Sequence, residues 1–454
     1  MGEIDSLYAI TPIDGRYEGI TKPIQEYFSE YALIKNRVMV EIRWLITLSN
    51  IKEIKEIELT NAEVEKLEEI YINFNIEDAR KVKEIEKVTK HDVKAVEYYL
   101  QDKVKCLNLE RVINFIHFAA TSEDINNLAY SIMVRDSIIN VWLKEAKKLL
   151  EDVRNLAKEN KDVSMLSHTH GQSASPTTVG KELAIFVYRW ESILKYIENI
   201  NLKGKFSGAV GNFNAHIVAY PNIDWISIAK NFVESFGLEY NMYTTQIESH
   251  DTLTILLNMI SSFNMVTMDL NSDMWIYISK HYFKQKVTSG EIGSSVMPHK
   301  INPINHENSM ANIRISNGLI KTFAENLPVS RMQRDLSDSS MLRNIGTSIA
   351  HSLISIKQTQ IGISKMEINK EMLEEDLNNN PEVLAEAIQT ILRKNGYTNA
   401  YELLKEKTKG KRVSLEELRN WFNELKINEE DKERLKKIEV KDYTGLAKNI
   451  VEML

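Results

Sequence analysis

A predominantly helical protein is predicted by three features of this chain. Apolar residues recur at three- and four-residue intervals through most of its length, as at Tyr31, Ile34, Val38, Ile42 and Leu45, a spacing that places them on one face of a helix. Long stretches such as Asn127 to Ala157 contain neither Gly nor Pro, the residues that most often interrupt helices. The sequence also carries no Rossmann glycine pattern and no P-loop to mark a nucleotide-binding sheet. At 454 residues the chain is too long for one ordinary core, so two or three domains are expected.

Composition narrows the function classes. A hydrophobic content of 43% with 27% charged residues describes a soluble globular protein. The net charge of -7, with Lys and Arg interspersed among Asp and Glu, provides no basic footprint for nucleic acid. Cys106 is the single cysteine, which excludes an intramolecular disulfide framework and a thiolate metal cage and fits a reducing compartment. The start of the chain has no basic segment followed by an apolar run, and no stretch reaches the roughly 18 uninterrupted apolar residues of a membrane span. A cytoplasmic protein is expected.

In order, the segment to Tyr31 is rich in turn formers, and within it Arg16 and Tyr17 are placed to reach an anion; a tethered terminal arm is the competing reading. A helix follows from about Ser29. Thr60-Asn61-Ala62-Glu63 reads as a capping box at the next helix start. In Thr89 to Tyr99, His91 and Asp92 stand beside Lys94 just as an apolar face at Val93, Val96 and Tyr99 begins, which alone would be a solvated helix end. In Phe115 to Asn127, the run Thr121, Ser122, Glu123, Asp124 precedes a long helical pattern. Ser122 or Asp124 can cap that helix, and its free amides and dipole can equally receive a carboxylate.

Ser167 to Glu182 carries His168 and His170 with Gly171, Pro176 and Gly180. Two histidines without a third ligand, a Cys or an HExxH spacing make a metal site a poor fit. Val179, Leu183, Phe186, Val187, Trp190, Leu194 and Ile197 then form another helical stripe, which Gly208 to His216 interrupts with small residues. Gln246 offers amide donors to a carboxylate just before Leu253 to Ile278, which is apolar on more than one face. A helix of that kind is buried on several sides, as in a central bundle completed by other subunits.

The stretch Gly290 to Pro303, GEIGSSVMPHKINP, concentrates chemistry where helices cannot continue. It offers hydroxyls at Ser294 and Ser295, a cation at Lys300 and an amide at Asn302, with Glu307 and Asn308 at the start of the next helix. A polar surface loop is the competing reading. Leu327 to Asn344 gathers Arg331, Arg334 and Arg343 with Ser337, Ser339 and Ser340, forked donors and hydroxyls suited to a phosphate; helix-surface pairing to Asp335 and Asp338 is the alternative. Asn378 to Glu382 and the capping box Ser414 to Glu417 open short helices of a small helical tail.

The order G-S-S-x-M-P-x-K-x-N-P resembles the signature of the fumarase/aspartase superfamily, and T-S-x-D and T-H-G-Q-x-A-x-P-x-T-x-G-K resemble its other two shared segments. T-x-H-D-V at Thr89, the Arg/Ser run and DGRY at Asp14 are similar to the adenylosuccinate lyases within it. The resemblance spans nearly the whole chain. It implies an all-α fold in three domains, 1-111, 112-364 and 365-454, the middle one supplying long helices to a homotetrameric core with active sites shared between subunits. It implies elimination of fumarate from a succinylated purine nucleotide without a cofactor, with Ser294 as base and His170 as acid. It further implies substrate contacts from Arg16, Tyr17, His91, Asp92, Thr121, Ser122, Gln246, Lys300, Asn302, Asn308, Arg334, Ser339 and Arg343, and support from Glu307. His168 is expected to be local scaffolding. A sister lyase, which needs no phosphate cluster, a noncatalytic structural member and a nucleotide-sensing module are the alternatives.

Overall fold

The computed structural model describes residues 6–286, 297, 300–408 and 413–454. It is built of helices with six short strands in three two-stranded sheets among the described residues. The chain divides into two compact units.

The first unit comprises Met1–Ala146, Ile193–Met265 and Ala311–Lys357. Its organising helix, Glu30–Ser49, starts where the Ser29 hydroxyl accepts from the Ala32 amide at 3.2 Å, satisfying an amide that the first turn leaves free. The predicted stripe Ile34, Val38, Ile42 and Leu45 is buried. Trp44 on the same helix packs against Phe206 and Phe232 at ring distances of 4.1 and 5.1 Å, and its indole donates to the Phe118 carbonyl at 3.0 Å. The capping box at Thr60 forms, with Thr60 N donating to Glu63 Oε2 at 2.8 Å and Glu63 N to the Thr60 hydroxyl at 3.3 Å.

Helices Ile76–Thr89 and Asp92–Cys106 are separated by two residues, Lys90 with φ 55° and His91 in extended conformation. That turn brings His91 and Asp92 to the head of the second helix. The Gly/Pro-free stretch forms one continuous run: Ser122–Ser137, a single π-helical segment Ile138–Trp142, and Leu143–Glu159. The small-residue segment after Lys203–Gly204 packs closely: Gly211 sits at φ +80°, and a Cβ there would lie 2.2 Å from the Thr244 carbonyl oxygen. Gly211 thus admits the irregular segment that leads to Gln246.

Asp251–Ser279 is long and apolar enough to cross a membrane by composition, with a mean hydropathy of 1.3 over its best window, yet 56% of that window is buried within the protein. It is a core helix. In the first unit its Asn264 amide donates to Ser316 Oγ at 3.2 Å and accepts from Ser352 Oγ at 2.7 Å, while Trp142 Nε1 donates to Ser352 at 2.8 Å.

The second unit comprises Lys147–Ser192, Val266–Met310 and Gln358–Leu454. The segment with the two histidines folds as an antiparallel hairpin, Ser164–Thr169 with Gln172–Thr178, where helices were expected to flank it. Alternating hydroxyl residues suit a half-exposed ribbon, and His170 and Gly171, with φ of 53° and 74°, make the two-residue turn with both φ positive that matches strand twist. Leu166 on the hairpin joins Leu377, Leu384, Ile388, Leu392, Phe422 and Leu435 in the core of the C-terminal segment. Ser414 caps its helix as expected, accepting from Glu417 N at 3.1 Å.

Candidate active site

In the first unit, residues that the sequence scatters from position 37 to position 343 form one polar network. Arg37, 1% exposed, lies on the buried face of Glu30–Ser49. Its Nη2 meets Asp92 Oδ2 at 2.7 Å and its Nε donates to Asn126 Oδ1 at 2.8 Å. Arg343 Nη2 reaches the same Asp92 oxygen at 2.7 Å, and its Nη1 donates to the Ser339 hydroxyl at 2.7 Å. Burial alone would raise the Asp92 pKa, but the two guanidinium groups and the Val93 amide hold it down to about 2. The carboxylate is therefore ionised at neutral pH and occupies both arginines.

From Asn126 the network continues. Its Nδ2 donates to Glu123 Oε1 at 2.7 Å, and the same oxygen pairs with Arg334 Nη2 at 2.8 Å. Arg334 Nη1 donates to Gln246 Oε1 at 3.3 Å, and Gln246 in turn donates to the Ala209 carbonyl at 3.0 Å. Burial pushes the Glu123 carboxyl up against the pull of Arg334. Among the described residues, Glu123 Oε2, Arg334 Nε and Asp338 Oδ2 are buried without a protein hydrogen-bond partner, so this part of the network has donor and acceptor capacity left for water or a ligand.

The head of helix Ser122–Ser137 is held from behind. Asp124, fully buried, accepts from Thr121 N at 2.8 Å, Ser207 N at 2.9 Å and Gly208 N at 3.0 Å, and pairs with Lys205 Nζ at 2.9 Å. Four donors on one carboxylate fix the Thr121-Ser122 step and the glycine loop to each other. Thr121 and Ser122 are partly exposed at this helix start, where Thr121 and Asp124 form a capping box. His91 caps the neighbouring helix through Nδ1, which accepts from Lys94 N at 3.1 Å, with its side chain 53% exposed. Arg16 is exposed and Tyr17 half-buried. A cavity of about 520 Å³ is lined by Ile13, Asp14, Gln25, Tyr31, Thr347 and Arg343 among others, and joins the N-terminal arm to Arg343.

In the second unit, His170 is exposed at the hairpin turn. His168 is part-buried with Lys280 Nζ at 2.8 Å from its Nε2; burial and then Lys280 lower its pKa. Lys300 is exposed, and Asn302 precedes helix Ile304–Asn326, whose first turn holds Glu307 and Asn308. Trp275 Nε1 donates to Glu307 Oε1 at 3.1 Å. Beneath that turn, His306 Nδ1 lies 2.7 Å from Asn271 Oδ1, and Asn271 Nδ2 donates to Ser309 at 3.2 Å and Thr359 at 2.9 Å. Ser294, and Ser295 beside it, lie outside the described residues. Among the described residues no three His, Cys, Asp or Glu side chains gather as a metal site.

A lyase family model matches residues 15–315, and an adenylosuccinate lyase C-terminal model matches residues 330–444. The chain is 46% identical to the adenylosuccinate lyase of Haemophilus influenzae over 454 residues, covering 100% of both, and 46% identical to that of Escherichia coli K12 with the same coverage. The chain belongs to the adenylosuccinate lyase family. A relative from Legionella pneumophila, 47% identical over 99% of each chain, carries the same name. Among solved structures, a fumarate lyase from Mesorhizobium sp. BNC1 superposes with a TM-score of 0.76 at 16% identity, over 95% of this chain and 97% of that one. A 3-carboxy-cis,cis-muconate lactonizing enzyme from Pseudomonas putida gives 0.74 at 17%, over 96% and 97%. At that identity the two structures show a shared fold alone.

For this family member, sequence reasoning named the residues at the open ends of the network, Asp92, Gln246, Arg334, Ser339 and Arg343, and missed its interior. No motif marks Arg37, Asn126 or Lys205, and Glu123 and Asp124 stand in the sequence as helix-start residues only. A signal existed for Arg37: it stands between Ile34 and Val38 in an apolar stripe, where a charge requires a partner. Lys205 carried none, since nothing local distinguishes it from a surface lysine.

Proposed function

We propose that this chain catalyses the cofactor-independent β-elimination of fumarate from adenylosuccinate, giving AMP, and from succinyl-aminoimidazole-carboxamide ribotide (SAICAR), giving AICAR. One observation carries the reading at the level of the site: a single network in the first unit joins the arginines and serine suited to a phosphate, Arg334, Arg343 and Ser339, to the Thr121-Ser122 helix start and Gln246, suited to a carboxylate. A succinylated nucleotide carries both groups. The full-length likeness to adenylosuccinate lyases supports the same substrate.

The reaction removes an unacidic proton beside a carboxylate and protonates the departing nitrogen, so one base and one acid suffice. Ser294 is the proposed base. Lys300 and backbone amides of its loop stabilise the alkoxide and the charge that spreads onto the carboxylate. His170 is the proposed acid, imidazole being the side chain that most often serves as a general acid. Arg16, Tyr17, His91, Asp92, Asn302 and Asn308 complete the substrate contacts, and Glu307 supports them.

The working assembly in this proposal is a cytoplasmic homotetramer with sites shared between subunits. Ile255, Met265, Trp275 and Ile276 on the Asp251–Ser279 helix are 44–50% exposed in the single chain, an apolar surface that further subunits would cover. The test is direct: the purified protein is incubated with adenylosuccinate, and AMP and fumarate are quantified. Equimolar release is expected. Binding of AMP with no fumarate release identifies a sensing module instead, and turnover of argininosuccinate or aspartate in its place identifies a sister lyase.

A further inference from the structure

Arg37 is the residue of the first unit whose position the proposed reaction leaves unexplained. It is buried among Leu33, Ile34 and Val38, which are 2%, 2% and 0% exposed. A guanidinium in such surroundings loses its hydration and is retained only with well-aligned partners. Its two partners lie on different segments, Asp92 at the head of helix Asp92–Cys106 and Asn126 in the first turns of helix Ser122–Ser137. Each continues to a residue facing the open part of the site. Asp92 holds Arg343, and Asn126 holds Glu123, which holds Arg334, which holds Gln246.

We infer that Arg37 is a positioning residue that sets the phosphate-binding and carboxylate-binding halves of the site at one fixed spacing. The inference rests on the functional reading given above. With 1% of its surface exposed, Arg37 does not reach a ligand and acts through Asp92 and Asn126. The planar fork is what the task requires: Nε and Nη2 point along separate, fixed directions, so one side chain aligns two partners at once. A lysine ammonium keeps the charge but presents its donors from one atom and cannot hold that angle. The site demands such a brace because its ligand is long and anionic at both ends, and a displacement of about 1 Å between the two receptors is felt as a loss of roughly a hundredfold.

The experiment compares wild type, Arg37→Lys, Asn126→Ser and the double variant as full-length assembled enzyme. KM and kcat for adenylosuccinate are measured beside the thermal midpoint. Arg37→Lys is expected to raise KM about ten- to a hundredfold with a much smaller change in kcat, because the reacting groups are elsewhere. Asn126→Ser leaves the Arg37–Asp92 pair in place and breaks the other arm, and is expected to raise KM about tenfold. The double variant should raise KM far less than the product of the single effects, since both changes cut one chain of contacts. A residue that only stabilises the core would lower the midpoint and leave KM of the folded enzyme unchanged, and that result overturns the inference, as does a fully multiplicative double variant. Should Arg37→Lys fail to fold, Asn126→Ser decides alone: wild-type KM there overturns the inference. Wild type that turns over no adenylosuccinate removes the functional reading, and the inference with it; active wild type with insensitive variants removes the inference only.

Discussion

The first unit's site is wired with charges, whereas the second unit's equivalent node is neutral. Asp92, Arg37, Arg343, Glu123 and Arg334 pair at 2.7 to 2.8 Å, while beneath Glu307 the buried groups are Asn271, Ser309, Thr359 and His306, the last with its pKa lowered to about 4 by burial. The difference follows from what each must do. Under the proposed function, guanidinium groups that meet an anionic ligand must be kept from drifting before it arrives, and an internal carboxylate such as Asp92 holds them at moderate cost. A node that only fixes where helix Ile304–Asn326 begins needs direction without charge, which amide and hydroxyl hydrogen bonds supply. The proposed acid, His170, belongs to neither arrangement: it is exposed on a two-residue turn.

The largest effects should come from the proposed acid and base. Ser294→Ala should abolish turnover while leaving adenylosuccinate binding largely intact, and His170→Gln should lower kcat by about 10²- to 10⁴-fold, the usual range for loss of a general acid. Survival of activity in Ser294→Ala together with a dead Ser295→Ala would move the base to its neighbour. Co-refolding the two inactive variants tests whether the sites are shared: at most about a quarter of sites regain both residues if two independent chains contribute to each. Verified mixed tetramers as inactive as their parents would mean that one chain supplies both groups.

Next in size is the buried pair behind Thr121. Lys205→Met strands the Asp124 charge with only backbone donors, and a loss of about 3 to 5 kcal/mol in unfolding free energy is expected, read by urea denaturation. A loss below about 1 kcal/mol would mean that the three amides on Asp124 suffice without the ammonium. Arg343→Ala should weaken AMP binding by about 1.5 to 3 kcal/mol and fumarate binding far less, because it removes a charge-assisted contact to phosphate. Calorimetric titration of both ligands measures this, and equal losses would assign Arg343 to the carboxylate.

The smallest effect at neutral pH is expected at His216, which sharpens the contrast between charged and neutral burial. Its ring is fully buried against Trp225 and Phe213, at 4.9 and 5.3 Å, both nitrogens lack a protein partner among the described residues, and burial lowers its pKa to about 4. A pKa of about 4 in the folded chain against about 6.5 unfolded means that the unfolded state binds more protons between those values. Stability from this group is therefore full above about pH 6.5 and falls as pH drops toward 4. His216→Phe should change stability by less than about 1 kcal/mol at pH 8 and should flatten the loss of stability between pH 6.5 and 4. An unaltered acid limb in that variant would show that other groups dominate it.

Local features were legible from neighbouring residues because they are decided by neighbouring residues. The capping boxes at Thr60 and Ser414, the stripe through Ile34 and Val38, and the unbroken run from Asn127 to Ala157 all depend on side chains within one or two turns, where spacing fixes geometry. The hairpin at His170 was less legible, since its Ser- and Thr-rich strands carry no apolar alternation and are stabilised through Leu166 in a core built by residues after 370. Only the tertiary structure decided which charges meet. Arg37 finds Asp92 and Asn126, and Asp124 finds Lys205, across 55, 89 and 81 positions of chain. Charge attraction is set by distance in space and by the exclusion of water, and neither is written in the spacing of residues along the chain.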